Sequence, residues 1–216
     1  MKTLRYLTVL VSSLVCACGT TNPRPPKAES HEPDYLSYRD DHGNHLGCSW
    51  YCGAPPIKLS ATSSFRDGIY SYSPDNAHDA KKDTVWVEGV EGHGIGERIV
   101  FTFDLSDRER YPESYLDDYP ELGIDRVSII NGFARNGKLW KANGRVKALK
   151  VYFDGRYRGT VQLEDTAEPR SIDLPKMAFT PGRAHDVAFE IAEVYPGTEY
   201  EDTAIADFFF SGFGVH

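Results

Sequence analysis

The sequence predicts an all-β protein, a sandwich or jelly roll. Short runs with strand periodicity recur along it, turn residues punctuate them, and no long stretch carries helical period. Leu59–Ser64 has β-type composition. Thr84–Glu97 is glycine-rich, and Gly92-His-Gly-Ile-Gly96 superficially resembles a dinucleotide fingerprint. That motif needs a strand before it and a helix after it. Here Arg98–Asp104 follows, with Ile99, Phe101 and Phe103 on one face, so the segment reads as a loop feeding a strand. Arg126–Ile130 is short and mostly apolar. Val146–Phe153 alternates, with Leu149, Val151 and Phe153 inward, and Asp154-Gly155 sets a tight hairpin into Tyr157–Leu163, because both turn positions tolerate positive φ. Ser171–Leu174, Val187–Ile191 and Ile205–Phe213 complete the series, separated by Thr180-Pro-Gly182 and Tyr195-Pro-Gly197. The tyrosine-rich, acidic segment 106–123 is longer than an ordinary connection and reads as a surface loop or short helix.

The N-terminus reads as an export signal. Lys2 and Arg5 precede an apolar stretch, Tyr6–Val15, too short to span a bilayer. Val15-Cys16-Ala17-Cys18 resembles a bacterial lipobox, which implies acylation of Cys18 and a signal peptide over residues 1–18; Gly19 after it implies retention at the outer membrane. The expected location is the bacterial cell envelope, lipid-anchored, with no second hydrophobic segment. Residues 19–45, with Pro23, Pro25, Pro26 and Pro33, read as a flexible tether, leaving 46–216 as one folded domain.

Cys48 and Cys52 remain in the mature chain, and an oxidising compartment favours a disulfide between them. With His42 and His45 the same stretch also offers zinc-ligand spacing. The net charge of −8 and pI near 5.4 argue against a nucleic-acid partner, which would need a basic face.

Three groups of motifs lie in order on the β framework: Asn76-Ala-His-Asp79 with Thr84–Gly89 and Gly94–Glu97; Ile129–Phe133 with Asn143–Lys147; and Val194–Gly197 with Tyr200–Ile205. This series resembles the NADase-type glycan-binding domain, a branch of the discoidin-like, galactose-binding jelly rolls, from Cys48 to Phe213. The resemblance implies a galactose-binding-like jelly roll that recognises carbohydrate. It implies no NAD glycohydrolase reaction, which belongs to a separate domain. His78 and His93 depart from the family pattern.

Physical chemistry points to the same loops. Loops after Val87, Ile130 and Val194 can gather at one end of a sandwich, presenting Glu88, His93, Asn131, Arg135, Trp140, Asn143, Arg145, Tyr200 and Asp202 as a glycan-binding set. Sugars need planar hydrogen-bond partners and aromatic faces. The competing role for Asn131, Asn143 and Asp202 is to satisfy turn backbones. Trp86, between two valines, reads as core, whereas Trp140 reads as a stacking residue in a polar loop. Asp79, Asp83, Thr84 and Asp207 form a candidate structural calcium site, offering carboxylate, hydroxyl and carbonyl oxygens; related sandwiches often hold an ion at the matching position, and the competing role is a hydrogen-bonded acidic turn neutralised by Lys81 and Lys82. No catalytic cofactor is expected.

Catalytic signatures such as His-Glu-x-x-His, Gly-x-Ser-x-Gly and the P-loop are absent from the sequence. The expected function is a non-catalytic carbohydrate-binding module. The rivals are an interaction module docking another envelope protein through segment 106–123, and a glycan hydrolase built on a carboxylate pair.

Overall fold

Alternating burial appears where the sequence alternates. On Arg98–Asp104, Ile99, Phe101 and Phe103 are fully buried and their neighbours are half-exposed. The computed structural model describes residues 55, 57–112, 114 and 121–214. The signal, Cys18, the tether, His42, His45, Cys48, Cys52 and the middle of segment 106–123 lie outside the described residues.

Among the described residues the strands run β1 Ile57–Ala61, β2 Arg66–Asp67, β3 Tyr70–Ser71, β4 Trp86–Val87, β5 Arg98–Asp104 and β6 Gly123–Asn131. A short helix, α1 Gly137–Ala142, then precedes β7 Gly144–Phe153, β8 Arg156–Gln162, β9 Arg170–Ala178, β10 Ala184–Tyr195 and β11 Thr203–Phe213. Hydrogen bonding orders them β1-β5-β10-β7-β11-β6-β9, with β8 on β7, β4 on β11, and β2–β3 a separate hairpin. Among the described residues the strands pair antiparallel except at a two-residue parallel seam, in which Thr203 and Ala204 of β11 meet Gly144 and Arg145 of β7; Gly132 adds a parallel bridge to Ile205.

The sheet folds back on itself at that seam. Phe101 on β5 meets Phe208 and Phe210 on β11 at ring-centroid distances of 5.1 and 4.9 Å. Two strands, β10 and β7, separate β5 from β11 in the hydrogen-bonded order. Contact of this kind requires two layers packed face to face, and Phe189 on β10 touching Phe208 at 5.0 Å repeats it. The fold is the expected all-β jelly-roll sandwich, and Trp86 is fully buried in its core.

Several elements differ in extent from their sequence-based bounds. The first strand lies earlier, at Ile57–Ala61. The Ser171–Leu174 run extends through Pro175 to Ala178, because β9 is an edge strand and its register with β6 shifts between Asp173 and Met177. A proline is tolerated at such a place, where no ladder donor is needed. Asp154 (φ 49°) and Gly155 (φ 74°) both adopt the left-handed conformation, with Phe153 opposite Arg156, so the predicted two-residue hairpin forms. Trp140, expected in a loop, lies instead in α1, whose start is capped by Asn136 Oδ1 accepting from the Leu139 N–H at 2.9 Å.

Candidate ligand-binding site

A second apolar cluster lies apart from the main core. It contains Phe65, Val85, Val87, Ile130, Phe133, Ala204 and Ala206, with Tyr72, Ala134 and Leu139 packed against it. The β2–β3 hairpin builds one side. Its two flanking aromatics are fixed by backbone bonds: Tyr72 N–H to Phe65 C=O (3.1 Å), Phe65 N–H to Val87 C=O (2.8 Å) and Val87 N–H to Tyr72 C=O (3.3 Å). The opposite side comes from the C-terminus of α1 and the β10–β11 loop. Asn143 folds its side-chain amide back onto Leu139 C=O at 2.8 Å, and the Tyr200 N–H donates to Ala142 C=O at 2.9 Å.

Between these sides lies a partly open hollow. Phe65, Tyr72, Val87, Phe133 and Leu139 give it an apolar lining, and Asn143, Tyr200 and Asp202 contribute polar groups. Tyr72 lies 5.9 Å from Phe65 at 36° and 6.3 Å from Phe133 at 76°, so the rings form walls at an angle to each other. A mostly apolar hollow with a few convergent polar groups is the usual form of a small-ligand site.

Of the nine residues expected to bind ligand, Asn143, Tyr200 and Asp202 line this hollow. The others are placed close by, but most are engaged by the protein. The Asn131 side chain pairs with the Val146 backbone, donating to its C=O at 2.7 Å and accepting its N–H at 2.9 Å. Arg145 is buried and forks onto Asp165, with both bonds 3.0 Å, while its other arm donates to the Asn143 and Pro196 carbonyls at 3.0 and 3.1 Å. Its guanidinium lies 4.6 Å from the Trp140 ring, and the Trp140 indole N–H donates to Asn131 C=O at 2.9 Å. The face and the polar edge expected to meet a sugar thus serve the protein itself.

Glu88 is fully buried; its carboxylate accepts the Val90 N–H at 2.8 Å and the Thr203 N–H at 3.2 Å. Gly94, at φ 67°, packs so closely on it that a Cβ would lie 2.3 Å from Glu88 Cγ. His93 donates from Nδ1 to Glu201 C=O at 3.1 Å, and its own carbonyl accepts the Thr203 hydroxyl at 2.8 Å. Arg135 is exposed on the turn before α1. Asn131, Arg145, Trp140, Glu88 and His93 form the frame that holds three distant loops together.

Sequence reasoning missed the aromatic lining. Its signal was available in Phe65-Arg-Asp-Gly-Ile-Tyr-Ser-Tyr72, where the two-residue turn Gly68-Ile69 is flanked symmetrically by Phe65 and Tyr72. Asp165, the partner of Arg145, had no such signal, because its loop carries no recognisable pattern.

The candidate calcium residues form a separate group against β11. The Thr84 hydroxyl donates to both Asp79 carboxylate oxygens at 2.9 Å, and Lys81 Nζ lies 3.6 Å from Asp79. Asp207 is buried with Oδ1 lacking a hydrogen-bond partner, and its carboxyl is pushed up to about 8, first by burial and then by the charge of Asp79. His78 donates from Nδ1 to Phe208 C=O at 2.7 Å, and burial lowers its pKa. Asp83 is exposed. Among the described residues no three His, Cys, Asp or Glu side chains converge as a metal centre. An orphaned buried carboxylate oxygen beside a second carboxylate fits a calcium ion that draws its remaining oxygens from carbonyls and water.

The architecture is thus a face-to-face antiparallel sandwich with a hollow between its loops. The sequence matches the NAD glycohydrolase translocation F5/8 type C domain over residues 50–111 and 113–211, and the chain belongs to that family. No curated protein sequence matched. Among solved structures, the chain is similar to a CBM32 module from Clostridium perfringens in complex with GalNAc-β-1,3-galactose (14% identity, TM-score 0.46, covering 72% of this chain and 95% of that one). It is also similar to the family 32 module of C. perfringens NanJ in complex with galactose (11%, 0.46, 71% and 92%). A third similarity is to the arabinofuranosyltransferase AftD from Mycobacteria (17%, 0.48, 74% and 11%).

Proposed function

We propose that the protein is a non-catalytic carbohydrate-binding module, carried on the bacterial envelope by a lipid on Cys18. The observation that carries the reading is the hollow itself, where aromatic walls from the β2–β3 hairpin and Phe133 face the polar residues Asn143, Tyr200 and Asp202. Aromatic rings accept the C–H faces of a sugar, while amide, phenol and carboxylate groups suit its hydroxyls. The nearby Asn131, Trp140 and Arg145 act as framework that sets the position of these loops.

A glycan array followed by calorimetry tests the reading. Saturable binding that Tyr72→Ala and Tyr200→Ala each weaken supports it; binding indifferent to both overturns it. For the anchor, Cys18→Ser is expected to abolish labelling by radioactive fatty acid and to release the protein from the membrane fraction. Asp79 and Asp207, with surrounding carbonyls, are proposed to hold a structural calcium ion. Its chemistry would be to neutralise two adjacent carboxylates and brace the segment Asn76–Thr84 against β11.

A further inference from the structure

The hollow combines features that a neutral sugar does not require. Four aromatic residues, Phe65, Tyr72, Phe133 and Tyr200, line it together with one acid, Asp202, and no basic residue is among its lining residues. A pyranose stacks best on one flat ring. Here Tyr72 is tilted by 36° to Phe65 and by 76° to Phe133, which encloses a compact, rounded group. Ring faces carry the negative lobes of a quadrupole and attract cations, most strongly where water is excluded.

Asp202 carries the one charge among the lining residues. Arg145, which reaches the Asn143 carbonyl behind the polar wall, is neutralised by its two-point contact with Asp165 at 3.0 Å. The chain as a whole carries a net charge of −8, and this field draws cations toward it. A primary ammonium is compact and strongly hydrated, so it needs several acceptors in place of its water. A trimethylammonium group spreads its charge over methyl groups that a mostly apolar lining can accept.

We infer that the hollow takes a quaternary ammonium group, carried as a substituent on a glycan. The inference deepens the carbohydrate-binding reading of the same site and rests on it for the carrier.

The test compares choline chloride with its neutral isostere 3,3-dimethyl-1-butanol, each titrated into the full-length protein and followed by protein-detected NMR. The two probes share shape and hydroxyl and differ in charge. Choline is expected to saturate the site and to bind at least about tenfold more tightly than the isostere. Asp202→Asn should reduce that preference, and Tyr72→Ala should abolish it; Tyr72→Leu, which keeps apolar volume, guards against a folding defect and should also lose the preference. Equal affinity for the two probes, or no saturation by choline, overturns the inference. If choline fails while unsubstituted neutral glycans bind at the hollow, the inference falls and the carbohydrate-binding reading stands; if neither binds, both fall. Binding to phosphatidylcholine vesicles without binding to a phosphocholine-substituted oligosaccharide overturns the assignment of a glycan carrier.

Discussion

Replacing Asp207 by asparagine isolates a strongly perturbed carboxyl. An aspartate in an unfolded chain titrates near 3.9, as an order-of-magnitude reference. In the folded protein the Asp207 carboxyl is pushed up to about 8, by burial first and by Asp79 second, against the opposing hydrogen bond from Phe208. The folded state therefore keeps a proton that the unfolded state releases. Below about pH 4 both states hold the proton and there is no cost. Stability then falls as pH rises through the window from about 4 to about 8, and the full cost is present above it. A gap of roughly four pH units corresponds to about 5 kcal/mol.

The amide that replaces the carboxyl stays neutral in both states, so Asp207→Asn should unfold like the wild type near pH 4 and be several kcal/mol more stable at pH 8.5. Urea titrations in EDTA across that range measure the difference, and other carboxylates cancel between the two proteins. Calcium should narrow the gap. The ion favours the ionised pair, so saturating calcium at one hundred times its Kd adds about 2.7 kcal/mol to the wild type at pH 8. The variant should gain far less. Parallel pH profiles for the two proteins would refute the reasoning about Asp207, and an unchanged wild-type midpoint in calcium would refute the ion.

Two substitutions probe the frame around the hollow. Arg145→Lys keeps the charge but loses the fork onto Asp165 and the contact over Trp140, and should cost about 2 kcal/mol, read by thermal unfolding with a change in tryptophan fluorescence. Gly94→Ala places a Cβ against Glu88 at φ 67° and should destabilise by about 2 kcal/mol or more, read by urea unfolding.

The fold was largely legible because alternation and burial coincide. Ile99, Phe101 and Phe103 share a face in the sequence and share the core in the structure, and Asp154-Gly155 specifies its own turn. Pro175 hid half of β9, since a proline reads as a strand end unless the strand is known to be an edge. At the site, the loops expected to meet do meet: Asn131 bonds Val146, Arg145 bonds the Asn143 and Pro196 carbonyls, and Tyr200 bonds Ala142. What sequence could not distinguish is whether a polar side chain at such a junction faces a ligand or another loop. Asn131 and Arg145 turned inward because converging loop backbones leave carbonyls and N–H groups that need partners once buried. The lining of the hollow fell instead to aromatics flanking a hairpin too short to read as a sheet element.

The central claim is that saccharide binds in the hollow framed by Tyr72, Phe133 and Tyr200. A crystal structure of the protein with the strongest glycan from the array tests it most directly. The account predicts sugar density against those rings, within hydrogen-bonding distance of Asn143 or Asp202. Density elsewhere on the sandwich, with the hollow vacant, would contradict it.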